Sequence, residues 1–268
     1  MQNKVVIITG GGSGIGRACA LAFGEAGYMV VISGRRMEKL EELSTLMQAQ
    51  GHDVLAVSGD VSQEEDCRRL VEACLQKYGR IDVLINNAGL SMRALFEETN
   101  LDVLRKLMDT NFWGTVYCTK YALPHLLHSG GSVVGISSIA GKKGLPGRSG
   151  YSASKFAMEG FLETLRTENL KKGLHVLVAC PGFTASEIRS TALAADGSRQ
   201  GESPREENKM MPAEVVARHI LKAVRLRRRD LVLTFNGKVL LFLNKFFPGY
   251  SDQLVYRHMA KEPGSPFR

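Results

Sequence analysis

The run Tyr151-Ser152-Ala153-Ser154-Lys155 puts a phenol and an ammonium one helical turn apart. A phenol alone is a poor acid or base near neutrality, with a pKa of about 10. A neighbouring ammonium favours the phenolate and lowers that value, which suits the phenol to proton transfer to or from an alcohol or ketone oxygen. From 151 to 170 the apolar residues Phe156, Phe161, Leu162 and Leu165 recur at three- and four-residue steps, predicting a helix with Tyr151 and Lys155 on one face. Upstream, Ser138 follows the apolar run Ser132-Val133-Val134-Gly135-Ile136-Ser137, which reads as a buried strand. A hydroxyl at the end of such a strand, facing a helix that starts a short loop later, can hold a carbonyl oxygen for the phenol. In isolation, a Tyr and a Lys one turn apart is also an ordinary surface pair. The rest of the chain decides between the two.

Short apolar runs alternate with amphipathic stretches along the 268 residues, with no internal repeat or low-complexity linker. Strands are expected at 4–9, 28–33, 53–58, 82–86, 131–138, 174–180 and 230–235, and helices at 14–26, 36–50, 64–78, 100–127, 151–172 and 212–227. The continuous Val/Ile/Leu character of the strands is that of a parallel sheet covered on both faces. Pro212 suits a first helical turn, with Glu214 near its positive end. The expected fold is α/β: a single doubly wound, Rossmann-type domain over 1–236, with about seven parallel strands, followed by an apolar extension over 237–268.

Between the first strand and first helix lies Thr9-Gly10-Gly11-Gly12-Ser13-Gly14-Ile15-Gly16. Glycines there permit a tight turn and let backbone approach a pyrophosphate at the helix N-terminus, so Gly10, Gly12, Ser13, Gly14, Ile15 and Gly16 are candidate dinucleotide contacts. A glycine-rich loop that merely turns a corner is the bland alternative. The second strand runs into Gly34-Arg35-Arg36, where an acidic residue would accept from the ribose 2′-hydroxyl of NAD. Guanidinium groups suit a 2′-phosphate instead, which favours NADP(H) over NAD(H), although paired arginines at a helix start also serve as plain surface charge. Asp60-Val61 closes the third strand, where the carboxylate either accepts from the adenine amino group or starts the next turn. Asn87, Ala88 and Gly89 follow the fourth strand and let a loop pass close to a cofactor; any turn has this composition too. Asn111 sits inside an amphipathic helix, a position more often structural than catalytic. Pro181-Gly182 and the following Phe183 and Thr184 punctuate the end of the sixth strand, close to where a nicotinamide would lie.

The least regular stretch, 183–211, opens at the sheet's carboxyl edge and is a candidate lid over substrate or a plain surface excursion. In the tail, Leu240, Leu241, Phe242, Leu243, Phe246 and Phe247 are more apolar than a terminal excursion needs. They are expected to close the substrate pocket, to pack in an oligomer interface, or to lie on a membrane surface beside Arg225, Arg227, Arg228 and Arg229. The net charge of +8 carries no nucleic-acid motif with it, and nucleic acid is excluded as a partner. The 44% hydrophobic and 23% charged composition is that of an ordinary globular protein. No run reaches the ~18 apolar residues of a membrane span, and no signal or transit segment precedes the first strand. The five cysteines show no metal-ligand spacing, so no metal is expected, and they read as reduced thiols in a cytoplasmic protein, peripheral at most to a membrane.

Taken together, the run at 9–16, Asn86-Asn87-Ala88-Gly89, Asn111, Ser138, Tyr151 to Lys155 and Pro181-Gly182 closely resemble the short-chain dehydrogenase/reductase superfamily over about residues 3–235. That resemblance implies an NADP(H)-linked oxidoreductase interconverting a ketone and a secondary alcohol, with reduction the favoured direction. Tyr151 would be the general acid/base; Lys155 would lower its pKa and bind the nicotinamide ribose. Ser138 would polarise the substrate oxygen, and Asn111 would anchor a water chain to Lys155. The family's Thr a few residues after Pro-Gly falls here at Ser186, while Thr184 is the nearer hydroxyl. Residues 195–199 and the apolar tail are similar to reductases of lipid ketones: acyl-dihydroxyacetone phosphate, 3-ketodihydrosphingosine or steroids. A homodimer or homotetramer is expected. The alternatives are an NAD-linked alcohol dehydrogenase and a dinucleotide-binding sensor or scaffold without turnover.

Overall fold

The computed structural model describes residues 4–184, 187–201, 210–262 and 264–266. Strands β1 (Val5–Thr9), β2 (Met29–Gly34), β3 (Val54–Ser58), β4 (Val83–Asn86), β5 (Ser132–Ile136), β6 (His175–Cys180) and β7 (Asp230–Val232) form one parallel sheet in the order β3-β2-β1-β4-β5-β6-β7. Strand alternation sends Val6, Ile8, Val30 and Ile32 to one face, under helices α1 (Gly14–Glu25), α2 (Met37–Ala49) and α7 (Ala213–Arg225). The odd-numbered neighbours Val5, Ile7 and Val31 meet α3 (Glu64–Tyr78), α5 (Gly114–Ser129) and α6 (Ser149–Glu168) on the other. With both faces covered, the strands have no polar side to show, which is why they read as unbroken apolar runs. The order reverses at β1, which pairs with both β2 and β4. A crevice therefore opens beyond the carboxyl ends of these strands.

Several elements depart from the sequence reading, each for a local reason. Strand β5 stops at Ile136, and Ser138 lies beyond it in extended backbone that caps a short turn, Ile139–Gly141. The helix expected at 100–127 is α4 (Leu101–Met108) followed by α5, with a π-helical segment at Asp109–Trp113 between them. Asn111 sits in that segment. Strand β7 is only three residues long, so Phe235 does not end a strand but begins a helix, α8 (Phe235–Phe246). Helix α9 (Pro248–Ala260) follows, started by a proline whose missing N–H costs nothing at a first turn.

These two helices pack on the carboxyl edge. A side-chain carbon built on Gly237 would lie 2.8 Å from Ile139, Lys143 pairs with Asp252, and Arg93 meets Glu262 at 3.9 Å. Helix α8 nevertheless leaves Phe235, Phe242 and Phe246 exposed at 77%, 61% and 56%. The arginine cluster does not share this surface. Arg227 donates to the carbonyls of Gly130 and Gly173, which precede β5 and β6, and Arg229 pairs with Glu163. The cluster thus occupies the amino edge of the sheet, at the opposite end of β7 from α8. Among the described residues no helix is long and apolar enough to cross a membrane.

Candidate active site

Helix α6 points its first turn at the carboxyl edge and buries Tyr151 and Lys155, at 8% and 3% exposure. Lys155 Nζ donates to the Ile136 carbonyl at 2.8 Å and lies 6.0 Å from the centre of the Tyr151 ring. Ser138, just past β5, lines the cleft beside the Tyr151 phenol. Burial pushes that phenol up; the nearby Ser138 hydroxyl and the Arg148 guanidinium pull it down. The lowering influences on the phenol are thus Ser138 and Arg148. Lys155 is itself pulled down to about 8 by burial, against the opposing charge of Glu159. Arg148 is buried and donates to Ser91 Oγ at 3.1 Å. It caps the start of α6, three residues before Tyr151, and was not singled out in the sequence.

Asn111 is fully buried and its amide is committed on both sides. Oδ1 accepts from Leu90 N at 2.8 Å, while Nδ2 donates to the Leu90 carbonyl and to Ser154 Oγ, each at 2.9 Å. A side-chain carbon on Gly89 would stand 3.0 Å from Asn111 Oδ1 and 3.5 Å from Lys155 Nζ, so Asn111 and Lys155 flank the same backbone.

The glycine run forms a cradle at the start of α1. A Cβ on Gly16 would fall 2.1 Å from the Gly10 carbonyl, and one on Gly10 would meet Asn87 Nδ2 at 2.9 Å. Thr9 Oγ1 accepts from both Asn87 N and Ala88 N at 3.0 Å, and Asn87 Nδ2 donates to the Thr9 and Gly10 carbonyls. The loop after β4 is thereby tied to the loop after β1. No acidic residue stands in the first turn of α1, leaving its positive end for an anion. A pyrophosphate fits this cradle: bare backbone and a helix N-terminus whose first turn carries no carboxylate.

The relay and the cradle open into one cleft of about 530 Å³. Gly10, Gly12, Ser13, Gly14, Ile15, Arg35, Arg36, Asp60, Val61, Asn87, Ala88, Gly89, Pro181, Gly182 and Thr184 line it with Ser138, Tyr151 and Lys155. Gly16 lies behind the lining, against Gly10, and Phe183 is largely exposed. Ser186 lies outside the described residues. At the ribose end, Arg35 Nη1 is 3.7 Å from Asp60 Oδ2, and Arg36 Nη2 donates to Glu187 Oε2 at 2.8 Å and to Ser13 Oγ at 3.2 Å. Asp60 also accepts from Ser62 N and Oγ, so its carboxylate serves the turn. Glu187, Ile188, Arg189, Thr191, Leu193 and Arg199 line the cleft as well. Leu193 bridges to Met92, and Asn100 N donates to the Ala195 carbonyl. The described part of the irregular stretch is thus folded across the cleft. Beside Tyr151, an apolar cluster forms from Leu90, Met92, Ala94, Val103, Leu107, Ala140 and Leu193. Of these, Leu90 and Leu193 line the cleft and the rest are core behind them; they went unmarked in the sequence, where they carry no motif.

The family model for short chain dehydrogenases matches residues 4–196. The chain is similar to mouse (Mus musculus) dehydrogenase/reductase SDR family member 7B, 37% identical over 98% of this chain and 83% of the relative. It also resembles an uncharacterized oxidoreductase, YxnA, of Bacillus subtilis, at 32% identity over 99% of this chain and 76% of that protein. Among solved structures, a short chain dehydrogenase/reductase from Burkholderia phymatum in complex with NAD superimposes with a TM-score of 0.83 at 24% identity, covering 92% of this chain and 95% of that one. At that identity the likeness is one of fold.

Proposed function

Because the chain belongs to the short-chain dehydrogenase/reductase family, an NAD(P)-dependent class of oxidoreductase, we propose that it reduces a hydrophobic ketone to a secondary alcohol with NADP(H) as the preferred cofactor. The observation that carries this reading is the gathering of half-buried Ser138 with buried Tyr151 and Lys155 on the lining of one cleft, beside the glycine cradle. When bound, the dinucleotide supplies the hydride. The cradle residues Gly10, Gly12, Ser13, Gly14, Ile15 and Gly16 hold its pyrophosphate. Asp60, Val61, Asn87, Ala88 and Gly89 flank the adenosine, and Lys155 binds the nicotinamide ribose. Pro181, Gly182, Phe183 and Thr184 edge the nicotinamide.

Ser138 and Tyr151 hydrogen-bond the carbonyl oxygen and stabilise the negative charge that develops there, and Tyr151 gives its proton. The push of burial on the phenol keeps that proton in place until the substrate oxygen demands it. Lys155, as a cation beside the phenol, stabilises the phenolate left behind. Asn111 anchors a water chain that returns the proton. Its amide is held by Leu90 and Ser154, so the backbone of the π-helical segment does the anchoring.

Leu90 and Leu193, apolar on the cleft lining near Tyr151, support a hydrophobic substrate. Arg35 and Arg36, with no carboxylate at the end of β2, support the 2′-phosphate. The pairing of Arg36 with Glu187 favours the rival, NAD-linked reading, since it engages the phosphate-binding group. Residues 237–268 extend the catalytic domain and carry its peripheral contact with an anionic bilayer. The exposed Phe235, Phe242 and Phe246 support this, as do Lys238 and Lys245 in a stretch, 231–251, without Asp or Glu. Trp113 and Phe156, both more than 40% exposed, support a homodimer or homotetramer through α5 and α6. Five buried free thiols support a reducing, cytoplasmic setting.

Purified protein mixed with NADPH or NADH and a panel of ketones, from small diketones to acyl and steroid ketones, tests the reading. NADPH consumption with the bulky ketones is expected; inertness toward every ketone with both cofactors overturns it.

A further inference from the structure

Glu159 stands one turn beyond Lys155 on α6, only 12% exposed, and takes no part in the relay described above. Its carboxylate nonetheless grips the chain at two points. Oε1 accepts a short hydrogen bond from Ser137 Oγ and a longer contact, 3.7 Å, from Cys180 Sγ on β6. Oε2 pairs with Lys142 Nζ at 2.8 Å. Ser137 and Lys142 bracket Ser138 and the turn it caps. The turn itself is pressed against the carboxylate: a side-chain carbon on Gly141 would lie 2.5 Å from both Glu159 Oε1 and Ser137 Oγ. Both ends of the segment carrying Ser138 are therefore held to the helix that carries Tyr151 and Lys155.

We propose that Glu159 is a positioning residue, clamping Ser137 and Lys142 so that the Ser138 hydroxyl stays aimed at the Tyr151 phenol. The reason is geometric. Ser138 lies two residues past β5, beyond Ser137, whose N–H makes the last bond to β6, and has no ladder bond of its own. Its hydroxyl already accepts from Ala140 N at 3.2 Å, which fixes the turn internally but not against α6. Beside the Lys155 bond to the Ile136 carbonyl, the Ser137–Glu159–Lys142 bracket joins both ends of the turn to the helix through side chains, and a displacement of about 1 Å at a reacting group is enough to cost up to ~10²-fold in rate. The charged and titratable groups facing the carboxylate are Lys142 after β5, Cys180 on β6, Lys155 on α6 and, through Lys142 at 4.0 Å, Asp230 on β7. Two cations and a thiol held protonated by burial thus surround one carboxylate, whose charge also supports the ammonium of Lys155.

This assignment rests on the relay reading, so its test is built to separate the two. Glu159→Ala is compared with Ser138→Ala and with the double variant, by kcat, by KM for NADPH and by the pH profile of ketone reduction. Glu159→Ala is expected to lower kcat about tenfold, with KM for NADPH within about twofold, and to add almost nothing in the Ser138→Ala background. The alkaline limb should move to lower pH, because Lys155 loses a supporting charge. Glu159→Gln, which keeps an acceptor for Ser137 but not the pair with Lys142, should recover part of the loss. It also stands in if the alanine variant fails to fold. Wild-type kcat in Glu159→Ala, or a loss that multiplies with that of Ser138→Ala, overturns the assignment while leaving the relay intact. A Ser138→Ala variant with full activity overturns the relay reading instead.

Discussion

At the relay end of the cleft Lys155 and Tyr151 are 3% and 8% exposed, whereas at the ribose end the side chains of Arg35 and Arg36 are 52% and 50% exposed. The relay groups are held by backbone carbonyls, buried hydroxyls and a helix, with little freedom to choose another partner. The arginines are held by Asp60 and Glu187, themselves substantially exposed. Exposed ion pairs of that kind are worth about 0–1 kcal/mol, less than the roughly 1.5–3 kcal/mol of a charge-assisted hydrogen bond to a phosphate. One end is thus built in advance for proton transfer, while the other can exchange its carboxylates for a ligand. Mutations should accordingly act on turnover at the first end and on affinity at the second.

Lys155→Ala should give the largest effect and mix the two classes. Turnover should fall by about 10²-fold and cofactor affinity should fall with it, since the same ammonium serves the phenol and the ribose. A variant that loses only affinity would break the contrast. Arg35→Ala comes next: its Kd for NADPH should rise about ten- to a hundredfold, with NADH and kcat little changed. Wild-type protein titrating NADH as tightly as NADPH would instead favour the NAD-linked reading. A pH profile then sharpens the relay end. Burial sets Lys155 at about 8, so raising the pH through that value removes its charge, while Tyr151, pushed above its ordinary value, keeps its proton. Ketone reduction should therefore decline by roughly tenfold per pH unit above about 8. A flat profile to pH 10 would show that Lys155 need not be charged.

The exposed aromatic row of α8 extends the contrast to a third region, with the smallest expected effect. Replacing Phe242 and Phe246 together by Ser should weaken binding to anionic liposomes and raise KM for long-chain ketones several-fold, while small ketones are unaffected. Equal KM changes for long and short ketones would reduce α8 to a packing or oligomer element.

The sheet, and the meeting of Ser138, Tyr151 and Lys155 in one cleft, were legible in the sequence because each is written locally. Buried parallel strands read as apolar runs, a helical turn places Tyr151 over Lys155, and glycines mark where Gly16 must clear the Gly10 carbonyl. What escaped depends on several elements at once. No local signal shows that the helix around Asn111 widens into a π turn, or that Glu159 meets Ser137 and Lys142 from two other segments. The tail was read by its number of apolar residues rather than their period. Phe235, Val239, Phe242 and Phe246 do fall at helical steps, but Leu240, Leu241 and Leu243 between them blur the face. Placing the arginines beside that tail failed because β7, short as it is, lies between them and carries the chain from the amino to the carboxyl edge of the sheet.

The central claim is that Tyr151 delivers the proton, in a site whose cofactor cradle is built independently of it. Tyr151→Phe, followed by kcat for ketone reduction and by direct titration of NADPH binding, tests both halves in one variant. The account predicts a fall in kcat of at least about 10²-fold, the scale of a lost general acid, with the Kd for NADPH within about twofold of wild type. Turnover near the wild-type rate in the phenylalanine variant would contradict it.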